Sequence, residues 1–179
     1  EDQAAANVMR LALFTGMRRS EIYGLRWSAV DFRRGFITIE DPKGGKDATV
    51  PLNSMARAVL ELIDRDPDNP YVFPGRFPGQ HLTNRGASHR RIAAAAGFPP
   101  GFRPVHGLRH VYASMLASSG KVDLYTLQKL MTHKSPLMTQ RYAHLRDEAL
   151  KQASEVAGDI VSGLANEQKD EKVVSIDSQ

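Results

Sequence analysis

The sequence predicts a mostly helical α+β domain, with a small antiparallel three-stranded sheet near its N-terminal side packed against a helical bundle. Three observations carry that expectation. Apolar residues recur at helical spacing through most of the 179 residues. Two short β-favouring runs, Phe36-Ile37-Thr38-Ile39 and Ala48-Thr49-Val50-Pro51, flank the turn-forming stretch Asp41-Pro42-Lys43-Gly44-Gly45-Lys46-Asp47. Hydrophobic residues make up 41% of the chain but aromatics only 7%, which points to an aliphatic core.

In chain order, Ala4, Ala5, Val8, Met9, Leu11, Ala12 and Leu13 read as a helix that Gly16 stops. A short helix over 17–27 follows, with Ile22, Leu25 and Trp27 as core residues. After the hairpin, Asn53 or Ser54 can cap a helix carrying Ala56, Val59, Leu60 and Ile63. Asp66-Pro67-Asp68-Asn69-Pro70 breaks it, and Tyr71-Val72-Phe73 reads as the third strand. Further helices are expected over 84–96, 107–118, 123–131 and 136–143, and a last one begins near Arg146 and fades around Leu164. This divides the chain into a domain over 1–164 and a polar tail over 165–179, disordered or exchanged with a neighbouring protomer. A chain that opens inside a helical pattern without methionine reads as a fragment whose upstream part is missing.

The net charge of +4 and a pI near 9.5 permit a polyanionic partner without requiring one. The absence of cysteine excludes disulfides, thiolate zinc sites and cysteine nucleophiles. No run approaches the roughly 20 apolar residues that span a bilayer, and no secretory signal opens the chain, so an intracellular protein is expected.

Several residues sit awkwardly for structure alone. Arg18 and Arg109 each fall near the start of a helix, where the macrodipole disfavours a cation by a few tenths of a kcal/mol, roughly. A shared phosphate explains both, since helix N-termini and guanidinium bind it together; solvated surface arginines are the plain alternative. His106 lies three residues before Arg109, on the same helical face. It lies four before His110, a zinc-pair spacing, but the glutamate of the metalloprotease motif is lacking. His110 reads instead as a partly buried packing histidine. His133 precedes Ser135-Pro136, a helix start, and is either an anion-binding group or an ordinary loop histidine. Lys43 and Lys46 lie in a glycine-containing turn that can reach a phosphate or be a plain soluble loop.

Taken in order, these segments resemble the tyrosine recombinase (phage integrase) family, catalytic domain. Thr15-Gly16-Met17-Arg18-Arg19-Ser20-Glu21-Ile22 is similar to the family's first box. Lys43-Gly44-Gly45-Lys46 with Thr49-Val50-Pro51 resembles its lysine hairpin, and His106-Gly107-Leu108-Arg109-His110 its H-x-x-R box. Leu130-Met131-Thr132-His133 and Gln140-Arg141-Tyr142 resemble the two remaining boxes. The sequence departs from the pattern at Thr132, where glycine is common, and at Ala29, where an acidic residue is frequent.

The resemblance implies an active site of Arg18, Lys43, His106, Arg109, His133 and Tyr142, and site-specific DNA recombination through a covalent 3′-phosphotyrosine. Tyr142 is then the nucleophile and Arg18 and Arg109 clamp the phosphate, with His106 as an added donor. Lys43 is the general acid, and His133, less readily His106, helps deprotonate the phenol. Glu21, one turn after Arg18, can orient it or be a plain surface pair. Tyr23, Tyr71, Tyr112 and Tyr125 read as packing residues. No acidic cluster suited to two metals accompanies these boxes, so metal- and ATP-independent strand transfer with no cofactor is expected. The partners implied are double-stranded DNA and, on it, a homo-tetramer, with the isolated fragment a monomer and no membrane association. Relaxation of the type IB topoisomerase kind and a DNA-binding module without catalysis are the alternatives. The resemblance also implies an upstream core-binding domain, expected to lie outside this chain.

Overall fold

The computed structural model describes residues 2–40 and 46–174, with residues 161–174 described by backbone alone. Helix α1 (Gln3–Thr15) begins at Asp2, whose carboxylate accepts from the Ala5 N–H, and ends at Gly16. Gly16 has φ +68° and closes the helix with its N–H on the Ala12 carbonyl. A Cβ there would lie 2.5 Å from the Tyr112 ring, so both conformation and space require glycine. Helix α2 (Arg19–Tyr23) is short, and a 3₁₀ turn over Trp27–Ala29 leads into the sheet.

The sheet has the order β1 (Val30–Asp31), β2 (Phe36–Ile39), β3 (Ala48–Pro51), all antiparallel. Register places Ile37 opposite Val50, and both are buried beneath the strands' outward residues. The expected third strand is not Tyr71-Val72-Phe73. That run pairs outside the sheet: Val72 N–H donates to the Leu25 carbonyl, Phe73 accepts from Leu82, and Tyr71 bridges Arg26. The edge place falls to Val30–Asp31, because Asp31 folds the chain back through its carboxylate on the Arg34 N–H and its carbonyl on the Gly35 N–H.

Helix α3 (Ser54–Glu61) is capped by Asn53, which accepts from Ala56. Helix α4 (Gly86–Ala95) precedes α5 (Pro104–Ser118), which starts with proline in its first turn. Asp123 caps α6 (Leu124–Leu130), and α7 (Leu137–Gln140) and α8 (Ala143–Val174) complete the described residues. The last helix begins earlier than Arg146 and its backbone continues past Leu164 to Val174.

α1 packs on α3, α4 and α5 around a large aliphatic core that includes Leu11, Ile22, Ile37, Val50 and Leu60. A smaller cluster of Ala113, Ala117, Leu127, Met131 and Tyr142 lies farther along α5. Helix α5 therefore belongs to both clusters, and the cleft described next opens beside its N-terminal half.

Candidate active site

A cleft of about 940 Å³ runs along the start of α5. Arg18, His106, Arg109, His133 and Tyr142 all line it, with Arg19, Arg90, Arg103 and Arg141, and no carboxylate lines it among the described residues. Arg18 comes from the turn before α2, His106 and Arg109 from α5, His133 from the α6–α7 loop and Tyr142 from the turn between α7 and α8. Lys43 lies outside the described residues; Lys46, the first described residue after it, is exposed.

Arg109 is almost fully buried. Its guanidinium donates through Nη1 to the Gly16 carbonyl and through Nη2 to the Met131 carbonyl (2.5 Å), tying the end of α1 to the end of α6. Burial, with Arg18 nearby, lowers its pKa to about 10, so it stays cationic at neutral pH. Glu21 stands between the two arginines. Its carboxylate accepts from the Arg18 N–H (2.6 Å) and Nη1 (2.7 Å), and lies 4.0 Å from Arg109 Nη1. Glu21 thus orients Arg18, as the sequence suggested, and partly neutralises two cations held side by side.

Thr132 also holds Arg18, whose Nη1 donates to the Thr132 hydroxyl (2.7 Å) and whose Nη2 donates to its carbonyl (3.1 Å). Thr132 has φ +50°, among the described residues the one non-glycine with positive φ. A β-branched residue there is strained by about 1–3 kcal/mol, while the hydroxyl bond to a cation returns a comparable amount. Thr132→Gly is therefore expected to stay within about 1 kcal/mol of the parent in denaturant unfolding, because relief of strain offsets the lost bond. Thr132→Val keeps the strain and loses the bond, and should fall below both by roughly 2 kcal/mol. A valine variant as stable as the parent would show that the tether contributes nothing.

His133 shares a hydrogen bond through Nδ1 with the buried Thr139 hydroxyl (2.8 Å). Burial, then the charges of Arg109, Arg18 and Arg141, lower its pKa to about 4, so it is neutral at pH 7. The histidine on the Tyr142 hydroxyl is His110, at 2.5 Å through Nδ1. His110 Nε2 in turn meets His106 Nε2 at 2.9 Å, with the rings edge to face. The sequence reading of His110 as a packing histidine missed this contact. The four-residue spacing from His106 already put both rings on one face; the position of Tyr142, 32 residues on, was the missing information.

Burial raises the Tyr142 pKa, and the Arg141 and Arg109 charges oppose that rise, so the resting phenol is protonated. Burial and the surrounding arginines lower the pKa of His106 and His110. Neutral imidazoles beside a protonated phenol are proton acceptors, and the fixed guanidiniums are anion donors. Of the other tyrosines, Tyr23 is buried, whereas Tyr125 is 67% exposed and carries Lys129 over its ring instead of packing inside.

Comparison with known proteins identifies the family and the fold. The family model described as "Phage integrase family" matches residues 2–149. Tyrosine recombinase XerD of Brucella abortus is 36% identical over 145 residues, covering 76% of this chain and 46% of the relative. Tyrosine recombinase XerC of Xanthomonas campestris is 36% identical over 156 residues, covering 84% and 47%. The chain thus spans about half the length of the relatives it matches. Among solved structures, XerH recombinase in a post-cleavage complex with palindromic difH substrate superimposes with a TM-score of 0.68 at 26% identity, covering 88% of this chain and 48% of that one. The catalytic domain of bacteriophage HP1 integrase shares the fold, with a TM-score of 0.59 at 24% identity and 86% and 88% coverage. With its helical fold, its arginine cleft and its buried phenol, the chain belongs to the phage integrase family of tyrosine recombinases.

Proposed function

We propose that this chain is the catalytic domain of a site-specific DNA recombinase that cleaves and rejoins strands through a 3′-phosphotyrosine at Tyr142. The observation that carries the reading is the convergence of Arg18, His106, Arg109, His133 and Tyr142, from distant parts of the sequence, on one cleft walled by arginines. A DNA phosphodiester in that cleft meets Arg18 and Arg109, whose donors stabilise the charge gathering on its non-bridging oxygens. The Tyr142 oxygen attacks phosphorus, the bond to the 5′-oxygen breaks, and the reverse reaction with a new 5′-hydroxyl restores the backbone without loss of bond energy. Lys43 is the proposed acid for the departing 5′-oxygen. The proposed partner is duplex DNA inside the cell, with four protomers assembled on it and the isolated chain a monomer.

Mixing the chain with nicked duplex DNA in excess EDTA, then quenching with SDS, tests the reading. The expected product is a covalent protein–DNA adduct whose digested peptide carries the nucleotide on Tyr142. Adduct formation should also weaken steeply as salt rises, since phosphate contacts release counterions. An adduct that requires divalent metal, or one mapped to a residue other than tyrosine, would overturn the mechanism. Strands that reseal only on their own duplex would indicate relaxation instead of exchange.

A further inference from the structure

The hydrogen-bonded row Tyr142–His110–His106 is the feature that the proposed chemistry does not yet use. The phenol oxygen and His110 Nδ1 are 2.5 Å apart, and the two Nε2 atoms are 2.9 Å apart. The row runs outward: Tyr142 is buried, His110 half-buried and His106 exposed in the wall of the cleft. His133, the base expected from sequence, is engaged instead with Thr139.

Resting on the function proposed above, we propose that His110 takes the proton of Tyr142 and passes its own Nε2 proton to His106, so that freeing the nucleophile and charging the phosphate-side histidine are one event. The arrangement has a required polarity. A neutral imidazole carries one N–H, and each of the two contacts needs one donor and one acceptor. If the phenol donates to His110 Nδ1, the His110 proton is on Nε2 and donates to His106 Nε2, which leaves the His106 proton on Nδ1. As the Tyr142 oxygen bonds to phosphorus, its proton moves to His110 Nδ1 and the His110 Nε2 proton moves to His106. His110 ends neutral and His106 ends as an imidazolium. The departing 5′-oxygen takes a separate proton from the general acid, proposed as Lys43. Protons and charge balance: His106 gains the one positive charge that the general acid gives up with its proton, and the phosphodiester keeps its single negative charge once the tyrosine has replaced the 5′-oxygen.

The surroundings suit a relay that operates only when DNA is bound. His110 faces His106 and Arg109 from α5, Arg103 from the turn before it, Arg141 and Tyr142 from the turn after α7, and His133 from the preceding loop. Burial first, and then the positive charges around them, disfavour protonating either imidazole. A phosphodiester in the cleft supplies the opposing charge and makes His106 a better proton acceptor.

Two measurements test the relay. The first needs no activity: ¹⁵N-edited spectra of the histidine rings at neutral pH should show His110 protonated on Nε2 and His106 on Nδ1. The opposite tautomer, with the His110 proton on Nδ1, would overturn the direction of transfer. The second compares adduct formation by the parent and by His110→Ala, whose fold is checked by its Tm. The variant is expected to form adduct at least 100-fold more slowly at pH 7, to gain about tenfold per pH unit as solvent deprotonates the phenol, and to recover on adding imidazole. A variant slowed at all pH values and unmoved by imidazole would make His110 a positioning residue and sink the relay. A variant as fast as the parent would remove His110 from the reaction. Failure of the parent itself to form adduct would count against the proposed function, and the ring spectra would still decide the proton direction.

Discussion

Arg109→Ala is expected to lose adduct formation by at least 1,000-fold and to lower the Tm by about 10 °C. Both losses follow from one guanidinium. Its removal strips a charged donor from the Gly16 and Met131 carbonyls at the junction of α1, α5 and α6. Each buried acceptor left without a partner costs about 1–3 kcal/mol, and part is recovered because a cation no longer has to be buried. A net loss of roughly 3–4 kcal/mol corresponds to about 2–4 °C per kcal/mol in a chain of this size. The chemical loss is separate, because the group facing the phosphate is gone. Arg109→Lys should recover part of the stability but little of the rate, since a single ammonium cannot serve two carbonyls and a phosphate in fixed directions. Thermal scans and adduct assays on the same samples check this. A parent-like Tm in Arg109→Ala would show that the two carbonyl bonds do not hold the helices together.

Tyr142→Phe is expected to abolish the covalent adduct while leaving the fold and DNA binding intact. The ring sits in the small cluster with Ala113, Leu127 and Met131, and phenylalanine fills the same space. The bond to His110 and the Arg141 contact with the phenol oxygen are lost, costing about 1–2 kcal/mol together, so the Tm should move by a few degrees at most. Retarded but non-covalent DNA in a gel, with no SDS-resistant species, is the expected pair of results. Persisting adduct would transfer the nucleophile to another tyrosine, and Tyr125 would be examined first because its ring is exposed.

Local rules made much of the fold legible. Gly16 as a helix stop, a cap at Asn53 and the Phe36–Ile39 and Ala48–Pro51 hairpin all follow from short-range preferences that the tertiary structure leaves in place. The third strand failed for the opposite reason. Tyr71-Val72-Phe73 has the stronger β composition, yet strand pairing is settled by which backbone lies alongside. The short Val30–Asp31 segment wins through a turn that its own aspartate closes. Thr132 shows the same division: its departure from the family's glycine was visible, but not that its hydroxyl would engage Arg18 while its backbone takes the left-handed conformation.

The sequence by itself determined the residue types for phosphoryl chemistry and their order along the chain: two arginines, histidines on and before helices, and a tyrosine nine residues after His133; Arg18 stands at a helix start, whereas α5 begins early enough to put Arg109 in its second turn. Those are matters of side-chain chemistry and local spacing, which three- and four-residue periodicities encode. Only the tertiary structure decided which groups touch. It set Arg109 between two carbonyls from distant segments, Glu21 between two guanidiniums, and His110, not His133, on the phenol. Such contacts join residues 22 to 93 positions apart, and they arise when α5 is packed into two apolar clusters at once. The packing free energy of the whole domain fixes them, and no short stretch of sequence carries it.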